Sequence, residues 1–72
     1  MHVFQVPVDT DDGETINVEV ACHRANGRHE WFITNIDADC EAEALEDKIL
    51  WADENVHDLR EQINEFIYQE TR

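Results

Sequence analysis

The sequence "VPVDTDDGETINVEV", residues 6–20, predicts how the first two strands pair, because it holds two alternating segments on either side of an acidic turn. Apolar residues occupy every second position of both segments, which is the period of a strand with one buried face. A two-residue turn at Asp12-Gly13 would set the apolar face of one segment against the polar face of the other. A three-residue loop that ends in a left-handed Gly13 aligns the two apolar faces. The pairs predicted on the inner face are therefore Val8–Ile16, Val6–Val18 and Phe4–Val20.

A second hairpin is predicted at Asn26-Gly27, the preferred dipeptide of a type I′ turn, since both residues tolerate positive φ angles. Counting outward from this turn pairs Cys22 with Trp31 and adds a third strand. The third strand is apolar on both of its faces. The residues that this register places on the face away from the core are Ala21, Phe32 and Ile36.

From Asp37 onward the period of the apolar residues changes to that of a helix. The spacing alternates between three and four residues, and Asp37 or Asp39 is the expected N-cap. About 30 helical residues would span roughly 45 Å, whereas an eight-residue strand spans about 26 Å. The helix therefore either continues past the sheet and pairs with a second chain, or breaks near residues 52–55, where Asn55 would cap a second helix. The residues of the predicted apolar seam are Ala42, Leu45, Ile49, Ala52, Val56, Leu59, Ile63 and Phe66.

These patterns predict an α+β fold in which a three-stranded antiparallel β-meander is followed by a C-terminal amphipathic helix packed on one face of the sheet. Pro7 suggests an edge position for the first strand, because proline donates no ladder hydrogen bond. A chain of 72 residues allows one domain with a modest core. The expected ranges are strands at about 2–8, 14–24 and 29–36, a helix at about 39–70, and a single domain at 1–72 with a sheet half at 1–36 and a helical half at 37–72.

The charge of the chain is strongly negative, at −13. Residues 1–36 carry six acids against two arginines, a net −4, and residues 37–72 carry twelve acids against three basic residues, a net −9. Such a chain should be repelled by phosphate, so we expect no direct binding to nucleic acid and a protein partner with a basic surface. The sequence shows neither a secretory signal nor a long apolar run, so we expect no membrane association and a cytoplasmic location.

No catalytic motif is present, and we expect neither enzymatic activity nor a cofactor. Cys22, His23, His29 and Cys40 fall close together in sequence and invite a zinc hypothesis. Adjacent Cys22 and His23 point to opposite faces of a strand, however, so they cannot readily join one tetrahedral site. The sequence therefore predicts no metal site.

Three hypotheses for function follow. In the first, an acidic helical face binds a basic protein surface, and the chain acts as a DNA mimic; in size and charge it is similar to the small inhibitors that phages and other mobile elements direct against host nucleic-acid enzymes. In the second, the chain is a self-associating module, most simply a homodimer. In the third, the acidity is an adaptation to salt. The acidic face consists of Glu43, Glu46, Asp47, Glu54, Asp58, Glu61 and Glu65, and the self-association candidates are Val56, Leu59, Ile63, Phe66, Phe32 and Ile36.

Overall fold

A computed structural model describes residues 1–71 and has an α+β fold, in which a three-stranded antiparallel sheet is followed by two helices packed against it. The strands lie side by side in chain order. The elements are β1 (His2–Asp9), β2 (Thr15–Ala25), β3 (Arg28–Asp37), α1 (Leu45–Asn55) and α2 (Leu59–Glu70).

The first hairpin has the predicted register, with Val8 opposite Ile16, Val6 opposite Val18 and Phe4 opposite Val20. Thr10 closes the loop: its backbone N–H donates to the Glu14 carbonyl at 2.7 Å, and its hydroxyl donates to Asp12 at 2.7 Å. Gly13 has a φ of 88°, the left-handed conformation that this loop requires. Local turn chemistry thus fixes the pairing of β1 with β2.

The second hairpin is also confirmed near its turn, where Asn26 and Gly27 have φ angles of 54° and 76° and Cys22 pairs with Trp31. A β-bulge then interrupts the register between Glu19 and Val20. The extra residue is Thr34, whose hydroxyl donates to the Glu19 carbonyl at 3.2 Å.

The bulge overturns the prediction for Ile36. One extra residue in β3 moves every later side chain to the other face of the strand. Ile36 consequently lies opposite Val18 and is only 2% exposed, in the core and not on the outer face.

Of the two alternatives for the helical part, the broken helix is confirmed and the continuous helix is wrong, and the helical part begins and breaks later than predicted. Asp37 ends β3, residues 38–44 form no helix, and Ala44 occupies the N-cap position of α1. The break lies at residues 56–58, where Val56 is extended and Asp58 is left-handed with a φ of 53°.

Asn55 does not cap α2 as predicted but ends α1. Its side-chain amide donates to the Trp51 carbonyl at 2.8 Å, and its own carbonyl accepts the Asp11 N–H at 2.8 Å. The extended backbone at Val56 directs that side chain into the core, where it is 3% exposed. The break folds the second half of the helix back over the sheet, so that its apolar residues are buried within one chain.

The core lies between the inner face of the sheet and the two helices. α1 packs against β3 and α2 packs against β1. Phe4 and Phe66 meet edge to face with ring centres 6.3 Å apart, a preferred aromatic geometry. The buried cluster comprises Val6, Val8, Ile16, Val18, Val20, Cys22, Ile36, Ala52, Val56, Leu59, Ile63 and Ile67.

Neither helix in residues 1–71 combines the length and the apolar character needed to cross a bilayer.

Candidate partner-binding site

The carboxylates of this chain are exposed and lack strong cationic partners. Seventeen of the eighteen acids are exposed, and Glu19 is half-buried. Within residues 1–71 the only ion pairs are those of histidines, His23 with Glu30 at 3.4 Å and His57 with Asp58 at 3.1 Å. The negative charge is therefore available to an external cation.

The predicted acidic face does not form one continuous ribbon. Glu46, Asp47 and Glu54 lie on α1, and Glu61 and Glu65 lie on α2. Glu43 precedes α1, and Asp58 lies in the bend between the helices. With a rise of about 1.5 Å per residue, the two helices are only about 16 Å and 18 Å long.

One part of this acidic surface adjoins a groove between the start of β3 and α2. The groove has a volume of about 550 Å³, within the range of ligand-binding clefts. We call it the aromatic-acidic groove; the lining residues used below are His29, Trp31, Glu61, Asn64, Glu65 and Tyr68.

Trp31 lines this groove, and a hydrogen bond fixes the orientation of its indole ring. Its indole N–H donates to the side-chain oxygen of Asn64, so that β3 and α2 are joined across the groove. The Arg60 guanidinium lies 5.8 Å from the centre of the indole ring, within the range of a cation–π contact. Arg60 lines a neighbouring cavity with Phe32 and Ile33, not the aromatic-acidic groove itself.

The chemistry of the aromatic-acidic groove suits a cation with an apolar stem. Glu61 and Glu65 are one helical turn apart, so their carboxylates lie on the same side of α2. Within residues 1–71, neither carboxylate has an ion-pair partner and no lysine or arginine lines the groove. A lysine or arginine side chain would place its charge between these carboxylates and its methylene groups on Trp31 or Tyr68.

The proposed self-association residues are mostly inaccessible. Val56, Leu59 and Ile63 are at most 4% exposed and, like Ile36, belong to the core of a single chain. The helix break is the reason, since it turns the apolar seam onto the sheet. Phe66 is half-buried against Phe4, and Phe32 is the one candidate left largely exposed, at 47%.

Cys22 and His23 point away from each other, as the strand period predicts. Cys22 is buried on the inner face, whereas His23 faces Glu30 on the outer face. Among residues 1–71, no three histidine, cysteine, aspartate or glutamate side chains are grouped so that they could hold a metal ion.

Sequence reasoning selected Glu61 and Glu65 but missed the aromatic half of the site. Trp31 was assigned only to the inner face of the sheet, and Tyr68 to no surface at all. The available signal was the spacing of Glu61, Glu65 and Tyr68, which places all three on one side of a helix. The proximity of that side to Trp31 depends on where the helix breaks.

A comparison with protein-family models, with curated proteins and with solved structures found no match.

Proposed function

We propose that this chain is a small acidic protein-binding domain that takes a basic segment of a partner protein in the aromatic-acidic groove. The observation that carries the proposal is the combination of two carboxylates, Glu61 and Glu65, which have no ion-pair partner within residues 1–71, with the aromatic rings of Trp31 and Tyr68 in one groove. The proposal assigns no reaction and no cofactor to the domain.

The two kinds of group contribute differently to such binding. An exposed ion pair contributes only about 0–1 kcal/mol, so Glu61 and Glu65 alone would not give a stable complex. A cation over an aromatic face and the buried stem of a long side chain add to that free energy. The net charge of −13 acts mainly on the association rate, by steering a basic partner toward the domain.

The nucleic-acid-mimic form of the hypothesis receives less support than binding in the groove. The longest dimension of the molecule is 37 Å. Duplex DNA of that length carries about 22 phosphate charges, at one per 1.7 Å. The domain carries a net −13, and the acids of α1 and α2 do not form one line.

The test compares two baits that have the same net charge. The groove double variant, Glu61→Gln with Glu65→Gln, removes two carboxylates from the aromatic-acidic groove. The control double variant, Asp39→Asn with Glu41→Gln, removes two exposed carboxylates from the segment before α1. Wild-type protein and both variants are immobilised and exposed to lysate at about 0.15 M salt, where long-range electrostatics are screened beyond roughly 8 Å.

We expect basic proteins that bind to wild-type protein and the control double variant but not to the groove double variant. Equal loss from both variants would show that net charge alone attracts the captured proteins, and would contradict the proposal. Addition of excess duplex DNA tests the nucleic-acid-mimic hypothesis separately from binding in the groove. DNA should displace only a partner whose nucleic-acid site is occupied by the domain.

A further inference from the structure

The two edges of the sheet differ in how they are protected. In the first hairpin Thr10 and Glu14 form a hydrogen-bonded pair. Because successive residues of an antiparallel strand point their backbone N–H and C=O groups to opposite sides, those of Asp9 point toward the free edge of β1. Gln62 of α2 covers that position: its side chain accepts the Asp9 N–H at 3.0 Å and donates to the Asp9 carbonyl at 3.4 Å. Pro7 also faces this edge and has no N–H to offer. The β1 edge is therefore closed to a further strand over these positions.

The β3 edge has no comparable cover. In the type I′ hairpin Ala25 and Arg28 form the closing hydrogen-bonded pair, so alternation directs the backbone groups of His29, Trp31 and Ile33 away from β2. Among residues 1–71, no other group donates to or accepts from the backbone of these three residues. This part of β3 also precedes the bulge at Thr34 and contains neither lysine nor proline, two residues that commonly protect an edge.

We infer that the free edge of β3 accepts an extended basic segment of a partner protein as a fourth, antiparallel strand, and this inference rests on the proposed function. In an antiparallel pair, directly opposed residues project their side chains to the same face of the sheet. Partner residues bonded to His29 and Trp31 therefore project on the inner side of the sheet toward the aromatic-acidic groove, whereas one bonded to Ile33 projects toward the neighbouring cavity that Ile33 lines with Ile49 and Arg60. Alternate partner residues project to the outer side, where Phe32 is 47% exposed.

Charge complementarity selects this occupant over a second copy of the chain. The inward side chains of the added strand that lie opposite His29 and Trp31 meet Glu61 and Glu65, which favour lysine or arginine. A second copy would bring another net −13 and would place its own groove carboxylates near those of the first. The preferred segment thus alternates basic residues with apolar ones.

The test uses a seven-residue peptide of alternating lysine and valine, with lysine at both ends and both termini blocked. Two further versions carry N-methyl groups, one on the backbone nitrogens of the inner lysines and the other on those of the valines. All three have the same charge and the same side chains. Binding is measured at about 0.15 M salt by the change in tryptophan fluorescence, with the groove double variant as a control for the inward side chains.

We expect the lysine-methylated peptide to lose at least about tenfold in affinity, because its methyl groups replace the hydrogens that would bond to β3. The valine-methylated peptide should bind like the unmodified one, because its methylated nitrogens face away from β3. Equal binding of all three peptides would overturn strand addition but leave the proposed function intact, provided that the groove double variant still binds more weakly. The inference would also be overturned if the unmodified peptide did not bind. It would be overturned too if the protein formed a concentration-dependent dimer through this edge.

Discussion

Ile63 and Leu50 are both large aliphatic residues of the helical part, yet the structure gives them opposite environments. Ile63 of α2 is fully buried in the core, whereas Leu50 of α1 is 61% exposed. A domain of this size has a stability of roughly 4–11 kcal/mol, from about 0.05–0.15 kcal/mol per residue. One core side chain can therefore decide whether the domain folds.

We expect Ile63→Ala to lower the free energy of unfolding by about 2–5 kcal/mol, through lost burial and the cavity that remains. Leu50→Ala is the matched control. It should change the free energy of unfolding by no more than about 0.5 kcal/mol, since leucine and alanine both suit a helix and position 50 is exposed. Urea unfolding followed by circular dichroism measures both. The midpoints should be the same at protein concentrations that differ tenfold. A midpoint that rises with concentration would instead place Ile63 at an interface between two chains.

At the scale of the elements, the bend between α1 and α2 decides what the helical half does. It turns the apolar seam onto the sheet and divides the predicted acidic face. Asp58 adopts a φ of 53°, and its side chain makes no capping hydrogen bond to α2. Asp58 therefore forms part of the bend through its left-handed backbone conformation, which glycine and asparagine adopt most readily.

Substitution of Asp58 should show that this conformation matters more than the charge. Asp58→Gly removes the steric cost of a positive φ, and we expect the free energy of unfolding to stay within about 0.5 kcal/mol of wild type. Asp58→Ala removes the same charge but keeps a β-carbon, and we expect a loss of about 1 kcal/mol. The exposed contact with His57 is absent from both variants, so it cannot cause the difference. Equal stability of the two variants in urea unfolding would show that the left-handed conformation at this position is not required.

For the whole molecule, the excess of negative charge opposes the compact state. Asp53 and Glu54 add to this effect, because they lie in the last turn of α1, where the helix dipole disfavours negative charge, and no basic residue accompanies them. Salt screens such repulsion, since the Debye length falls from about 30 Å at 0.01 M to about 3 Å at 1 M.

We expect the melting temperature to rise by about 4–8 °C between 0.02 M and 0.5 M NaCl, which corresponds to roughly 1 kcal/mol in a domain of this size. A variant with Asp53→Asn and Glu54→Gln should melt at a higher temperature in low salt and gain less from added salt. Differential scanning calorimetry measures both. The rise should be steepest at low salt, as screening requires; a melting temperature that does not depend on salt would contradict a destabilising charge excess.

The features that depend on neighbours along the chain follow from the amino-acid sequence without reference to the tertiary fold. Turn chemistry at Gly13 and at Asn26-Gly27 determined both hairpins, because a positive φ at those residues restricts the loop, and the period of two determined which residues of β1 and β2 face the core. The exposed acids are likewise evident from composition, since charged groups remain in water unless they are paired.

Three features depend on long-range packing: the bulge at Thr34, the bend at residues 56–58 and the aromatic-acidic groove. The bulge allows Ile36 to reach the core, and the bend allows Val56 and Ile63 to do the same. The bulge and the bend are favoured because they bury apolar surface against a sheet of limited length. This gain in free energy depends on residues that are far apart in the sequence, so no local pattern predicts it. The hydrogen bond between Trp31 and Asn64, and with it the position of the groove, depends on where the helix bends.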